Sequence, residues 1–412
     1  MSTVLAYTSP AKGHLFPLVP VLLTLRDRGH DVHVRTLDAL VPELCALGLH
    51  ADGLHPATST VEADDYLAPN QRAALRSSVR TFATRARYEA PHVTALVDEL
   101  APDVVIADIN AWGAMVAAEA SGLPWATFSP YTPAIGSKDV PPFGLGLAPA
   151  RGPLGRLRDR ALRPLVIGTA ERVALPPLNE LRASAGLAPV HDADDLYTRA
   201  PLVLVTTAEP FEYPRSDWPE QVSLVGPLDW EPTAEPPAWL DDVHDPMVLV
   251  TTSSEYQGDE DLVQVALEAL ADEQVHVVAT CPAGVRRRYD VPPNAHVVEF
   301  VPHGAVLDRA VCAVTHGGMG ATQKALSCGV PVVAVPWGRD QFEVAQRVVL
   351  SGSGVRLPAK RLDAQRLRDA VRAARTMTAG AAGVRDGFAA AGGAERAADA
   401  VERLVVADRS RD

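Results

Sequence analysis

Apolar residues fall along this chain in two alternating modes. Some form short unbroken runs, and others recur every three or four positions over longer stretches. Unbroken β-branched runs read as strands buried on both faces, and the three-to-four spacing reads as amphipathic helix. Val4 to Ser9 is the first run. Leu18 to Arg28 follows with Leu18, Val21, Leu22 and Leu25 on one helical face; Gly29-His30 stops it and Asp31 to Leu37 is strand again. A strand–helix–strand opening predicts parallel pairing with a right-handed crossover. The alternation continues with a strand at Val104 to Ala107, a helix from Trp112 to Ser121 closed by Gly122, and strands at Trp125 to Phe128 and Leu202 to Thr206.

The pattern then breaks and restarts. Glu231-Pro232-Thr233-Ala234-Glu235-Pro236-Pro237 has the composition of a linker. After it come strands at Met247 to Thr251, Val275 to Thr280, Val297 to Val301, Ala310 to Val314 and Val332 to Val335, with a helix over Leu262 to Leu270. Two α/β units are therefore expected: residues 1–228, a linker over 229–244, and residues 245–392. A last helix, Ala394 to Val406, with a frayed tail fills 393–412 and is expected to pack back on the first unit. Ser129 to Gly155 is crowded with Pro and Gly and carries Tyr131 and Phe143, so it reads as a long loop, either a lid or a passive connection.

Composition narrows the function classes. The 412 residues, 47% of them hydrophobic, are enough for more than one core. A net charge of −13 argues against a nucleic-acid surface, and an anionic ligand would have to be held by local dipoles. No apolar run approaches the roughly 18 residues of a membrane span, and Met1 to Pro10 lacks the pattern of a signal peptide. Cys45, Cys281, Cys312 and Cys328 are scattered without redox or metal spacing, which suits a reducing cytoplasm.

Candidate chemistry gathers at strand ends. The strand ending at Val314 runs into Thr315-His316-Gly317-Gly318-Met319-Gly320-Ala321. A helix starting near Gly320 would turn its first N–H groups outward, with no Cβ to block a close approach, so the site suits a phosphate or diphosphate. His316, neutral or protonated, adds a donor. The plainer alternative is a tight turn that needs Gly317 and Gly318 for geometry alone. Gly329-Val330-Pro331 opens the next strand and Asp340-Gln341 begins the next helix, which puts His316 and Asp340 on the ligand-binding edge of one parallel sheet. In the first unit, His14 follows the first strand and Asp108 ends another. A base oriented by a carboxylate has this composition; a surface histidine and a helix N-cap are the structural alternatives.

Together, Gly13-His14-x-x-Pro17, Asp108, His316-Gly317-Gly318, Gly329-Val330-Pro331 and Asp340-Gln341 resemble the family 1 inverting glycosyltransferases of the GT-B fold, in the bacterial branch that decorates polyketides, macrolides and enediynes. The resemblance covers nearly the whole chain. It implies an α/β protein with two Rossmann-like domains facing across a cleft. The N-terminal domain would hold a small-molecule aglycone and the C-terminal domain a nucleotide sugar. By similarity, His14 is the general base and Asp108 its partner. Ser253, Ser254, Phe300, Val301, His303, His316, Gly318, Met319, Gly320, Ala321, Asp340 and Gln341 would bind the donor, and Phe16, Tyr131 and Phe143 the acceptor.

The donor implied is a dTDP- or UDP-sugar. Ala321 stands where many relatives have Ser or Thr, and Lys324 where plant relatives have a ribose-binding Glu, which favours a dTDP donor. Phe300 replaces the plant tryptophan at the base platform and still permits stacking. Neither a metal nor a resident cofactor is expected. Asp192-Ala193-Asp194 fits a D-x-D metal pattern but has no strand leading into it, and the helix dipole with His316 can offset diphosphate charge. The expected partners are the nucleotide sugar and the aglycone, with no nucleic acid and no membrane; a homodimer is compatible with the chain. A nucleotide-sugar epimerase of related build and a non-catalytic auxiliary homologue are the competing functions.

Overall fold

The computed structural model describes residues 1–150 and 152–409. Its described strands form two sheets, parallel throughout. The first holds β1 (Thr3–Tyr7), β2 (Asp31–Thr36), β3 (His50–Gly53), β4 (Val104–Asp108), β5 (Trp125–Ser129), β6 (Leu202–Val205) and β7 (Val222–Leu224), in the order β3-β2-β1-β4-β5-β6-β7. The second holds β8 (Met247–Thr251), β9 (His276–Thr280), β10 (Ala295–Val298), β11 (Ala310–Thr315), β12 (Val332–Ala334) and β13 (Gly354–Arg356), in the order β10-β9-β8-β11-β12-β13. In each sheet the direction of winding reverses beside its first strand, between β1 and β4 and between β8 and β11. A crevice opens at the carboxyl ends of such strands.

The unbroken apolar runs are unbroken because both sheet faces are covered. Val4, Ala6 and Ile106 pack under the helix Val19–Asp27, whose Leu18, Val21, Leu22 and Leu25 face is fully buried. Leu5, Tyr7, Val105 and Ala107 pack on the opposite side against the helix Trp112–Ala120. The last helix, Gly393–Arg409, returns to the first sheet. Its Ala397, Ala398 and Val401 join that core, and Arg28 reaches Glu395, Asp399 and Glu402 along it. This helix overruns the predicted end at Val406; residues 410–412 of the tail lie outside the described residues.

Several elements depart from expectation. The two longest helices, Gln71–Leu100 and Gly152–Ser184, carry prolines at 91 and at 164, 176 and 177, which interrupt the helical period along the sequence. Tertiary packing carries them instead. Gly113 lets the first of them lie so close that a Cβ there would come within 2.4 Å of the Ala86 carbonyl oxygen. Strands β3, β7 and β13 are three or four residues long and lie towards the sheet edges, too short to leave a pattern. The strand expected over Val297 to Val301 runs from Ala295 to Val298, because its ladder ends where β9 ends, at Thr280. The loop beginning at Ser129 ends sooner than expected, since Gly152 already starts a helix.

A buried ion cluster joins the two halves. Arg347, on the helix Gln341–Leu350, donates to Glu212 at 2.8 and 3.1 Å and to Glu343 at 3.0 Å. Glu212 comes from the crossover between β6 and β7; it also accepts the Thr132 hydroxyl at 2.5 Å and the Tyr213 N–H at 2.9 Å, and Arg215 lies 4.0 Å away. The second Glu343 oxygen accepts the Gly144 and Gly146 N–H groups at 2.8 Å each. The Pro- and Gly-rich segment is thereby fastened to the C-terminal domain. Burial pushes the Glu212 pKa up, but the Arg347 charge and hydrogen bonds outweigh it and hold the carboxyl below its ordinary value. This stabilisation is therefore present at neutral pH and is lost as pH falls through that lowered pKa. Arg347→Met leaves Glu212 buried without its main partner and should cost about 3–5 kcal/mol. Denaturant unfolding reads this directly, and a loss below about 1 kcal/mol would show that Arg215 suffices.

Candidate functional site

The site forms where the two reversal points meet. His14 lies in the short helix Lys12–Leu15 just beyond β1, and Asp108 is the last residue of β4. Because β1 and β4 are neighbours, their ends bring His14 Nδ1 within 2.6 Å of Asp108 Oδ2. Asp108 is fully buried and His14 nearly so. Burial works against a charged imidazole, yet the Asp108 charge and hydrogen bond outweigh it, and Glu255 and Asp340 add to them, so the His14 pKa is raised. Glu255 and Asp340 belong to the C-terminal domain. Arg339, next to Asp340, is hydrogen-bonded to both Asp65 of the first domain and Glu255, which brings the two halves together here.

The opposite wall is built by β11 and the loop after it. Gly317 takes φ +85°, a left-handed conformation that glycine adopts without strain. At Gly318 a Cβ would meet the His316 ring at 2.2 Å, so glycine is required there by the imidazole. Gly318 is the N-cap of the helix Met319–Ser327, and no side chain caps it. Open space lies in front of Gly320. The first N–H groups of this helix are thus presented to the crevice with the positive end of the helix dipole. His316 is buried, and its Nδ1 has no partner among the described residues. Burial drives its pKa down, and the Asp259 carboxylate only partly offsets this. A neutral His316 can offer one N–H to an anion and brings no full charge.

The remaining predicted residues divide. Asp340 sits at the start of the helix Gln341–Leu350, and burial raises its pKa. The Gln341 amide oxygen accepts the Trp337 and Gly338 N–H groups at 2.7 and 3.1 Å, and its nitrogen donates to Gln257 at 2.7 Å. Gln341 therefore braces the loop, with one N–H left over. Ser253 is buried and its hydroxyl accepts from Gln257 at 2.6 Å, whereas Ser254 is exposed. The Met319 side chain belongs to the domain core, which leaves its backbone for a ligand; Ala321, two residues on, is half-buried. Phe300 is exposed beside buried Val301, and His303, hydrogen-bonded to Thr280 at 3.1 Å, is held down to a pKa of about 4 by burial, with Lys324 adding to the effect. Phe16 turns its ring onto Trp230 at 5.2 Å, Tyr131 lies edge-on to His14 at 5.9 Å, and Phe143 is half-buried in the fastened segment.

Other residues of the crevice leave no mark in the sequence reading. Asn110 Nδ2 lies 3.2 Å from His14 Nε2, and the Tyr131 hydroxyl donates to Asn110 Oδ1 at 2.7 Å. Its position two residues after Asp108 was the one available signal. Arg339, between Gly338 and Asp340, adopts φ +50°, unusual for a side chain of its size. It donates to both Asp65 oxygens at 2.8 Å and to Glu255 at 3.0 Å, tying the first domain to the loop before Gln341.

Among the described residues no group of His, Cys, Asp and Glu is arranged to hold a metal ion. Asp192 caps the short helix Ala193–Tyr197, and Asp194 accepts from Gly136 and Arg163. A groove of about 670 Å³ runs along the helix Gly152–Ser184, and no candidate site residue lines it. No described helix is long and apolar enough to cross a membrane.

Residues 264–404 match the model of the erythromycin biosynthesis protein CIII-like C-terminal domain. Over 98% of the chain and 99% of the relative, the sequence is 33% identical to 4'-demethylrebeccamycin synthase of Lentzea aerocolonigenes. The chain is a family 1 natural-product glycosyltransferase. The fold of this glycosyltransferase is GT-B, two Rossmann-like domains, as in the glycotransferase of kitacinnamycin (TM-score 0.77, 24% identity, 98% of this chain and 99% of that one). The glycosyltransferase VinC, solved in complex with dTDP, is similar at a TM-score of 0.67 and 23% identity over 98% of this chain and 99% of that one. In the glycosyltransferase described here, Asp65 and Arg339 should behave as a coupled pair. A double-mutant cycle with Asp65→Asn and Arg339→Ala, read by turnover and by melting, is expected to give about 0.5–3 kcal/mol of coupling. Strict additivity would mean the contact holds nothing together.

Proposed function

We propose that this glycosyltransferase moves a sugar, with inversion, from a dTDP-sugar to a hydroxyl of a small-molecule natural product, with His14 as the general base. The observation that carries this is the 2.6 Å contact of His14 Nδ1 with buried Asp108, set across a crevice from an uncapped helix N-terminus. Asp108 fixes the tautomer that leaves the Nε2 lone pair for substrate. Nε2 takes the acceptor hydroxyl proton as the oxygen bonds the anomeric carbon. The bond from that carbon to the diphosphate breaks on the opposite face, and its electron pair leaves with the diphosphate. The N–H groups of Gly318, Met319, Gly320 and Ala321, with neutral His316, receive the growing charge. Asp340 accepts hydrogen bonds from sugar hydroxyls, and Phe300 is the stacking platform for the base.

The chemistry needs no metal and no resident cofactor. A general base supplies roughly 10²–10⁴ in rate, or about 3–5 kcal/mol, and dipoles aimed at the leaving group supply a further large share. The preference for dTDP follows from Lys324. Its ammonium is held by Glu231 at 2.7 Å and Asp229 at 3.0 Å, so position 324 offers no acceptor to a ribose 2'-hydroxyl. The likeness to VinC, a dTDP complex, supports the same donor.

Two outcomes test this. His14→Ala should lower kcat about 10²–10⁴-fold with nucleotide affinity nearly unchanged, and Asp108→Asn should cost less because the base remains. Near-normal turnover in His14→Ala would remove His14 from the mechanism. In direct competition, dTDP-sugars should outcompete UDP-glucose; a wide margin the other way contradicts the argument from Lys324.

A further inference from the structure

The contacts around His14 Nε2 run in one direction. Asp108 Oδ2 accepts from His14 Nδ1, so a neutral ring carries its lone pair on Nε2. The group lying against that lone pair is the Asn110 amide, whose nitrogen is 3.2 Å away. An amide can turn either end to a neighbour, and Tyr131 decides which. Its hydroxyl, 2.7 Å from Asn110 Oδ1, donates there and leaves the NH₂ facing Nε2. Burial, first, and then nearby Tyr197, Asp108 and Asp340 keep the Tyr131 phenol protonated. The Asn110 backbone is fixed as well, its N–H donating to Asp108 Oδ1 at 2.8 Å.

We infer that Asn110, oriented by Tyr131, is a positioning residue that holds His14 Nε2 unprotonated until an acceptor hydroxyl takes the amide's place. This rests on His14 being the base. The charged groups acting on His14 are Asp108 from β4, Glu255 from the loop after β8 and Asp340 from the start of the helix Gln341–Leu350, and all three favour an imidazolium. An imidazolium has no lone pair at Nε2 and is useless as a base. Its N–H would meet the Asn110 N–H donor to donor. Besides burial, the amide is what opposes protonation. When a substrate hydroxyl displaces it, the carboxylates lend Nε2 its full basicity at the moment of proton transfer.

The test needs no substrate. NMR titration of the His14 ring in the ligand-free protein should show its midpoint rising by about half to one pH unit in Asn110→Ala, the worth of one neutral hydrogen bond. Tyr131→Phe should move it the same way by less, since the amide is then free to turn. In Asn110→Ala the acid limb of the kcat/KM profile should follow, with acceptor KM within about twofold of wild type and kcat retained at a pH above the acid limbs of both enzymes. A midpoint that stays put or falls in both variants overturns the inference, as does a tenfold rise in acceptor KM with an unmoved acid limb, which would make Asn110 an acceptor ligand. Failure of His14 as base would show separately, as turnover in His14→Ala.

Discussion

The structure depends on a guanidinium that has no access to water. Arg347 is 2% exposed, and its charge can stay there only if carboxylates surround it. One of them, Glu212, comes from the first domain; the other, Glu343, spends its second oxygen on the backbone of residues 144 and 146. The helix that carries Arg347 and Glu343 begins at Asp340-Gln341. The same two turns of helix therefore carry Asp340 and anchor the segment around Gly144 and Gly146. The two domains are thus joined by an interaction that is costly to open partway.

Within that frame, burial treats the two histidines differently. Both are enclosed, and enclosure disfavours a charged ring. At His14 a carboxylate in hydrogen-bond contact overrides burial, with two more acids across the crevice; at His316 the one opposing acid, Asp259, does not. One ring is thereby biased towards its charged form and the other towards its neutral form. Arg339 links their surroundings, bonded to Asp65 of the first domain and Glu255 of the second.

Much of this was legible along the chain, for a definite reason. Sheets covered on both faces demand unbroken apolar runs, so β1, β4, β8 and β11 announced themselves, and with them the strand ends where His14, Asp108 and His316 lie. What stayed hidden had no period to read. The helices 71–100 and 152–184 are broken by proline and held by packing. Phe16 lies edge-on to Trp230, a partner more than two hundred residues away that no local pattern announces. Asn110 and Arg339 sit in loops, where any polar residue is unremarkable until its neighbour is known.

By itself the sequence determined the doubly wound class of both domains and the glycine loop at the second reversal point, and it put His14 and Asp108 forward as candidates at strand ends of the first. These follow from local rules: burial sets hydrophobic period, and turns of given geometry demand glycine. Only the tertiary structure decided that Asn110 and Tyr131 stand over His14, that Gln341 braces the loop before it, and that Arg347 and Arg339 join the domains. Those assignments depend on which distant groups must share a place without water, and nothing local in the chain encodes that.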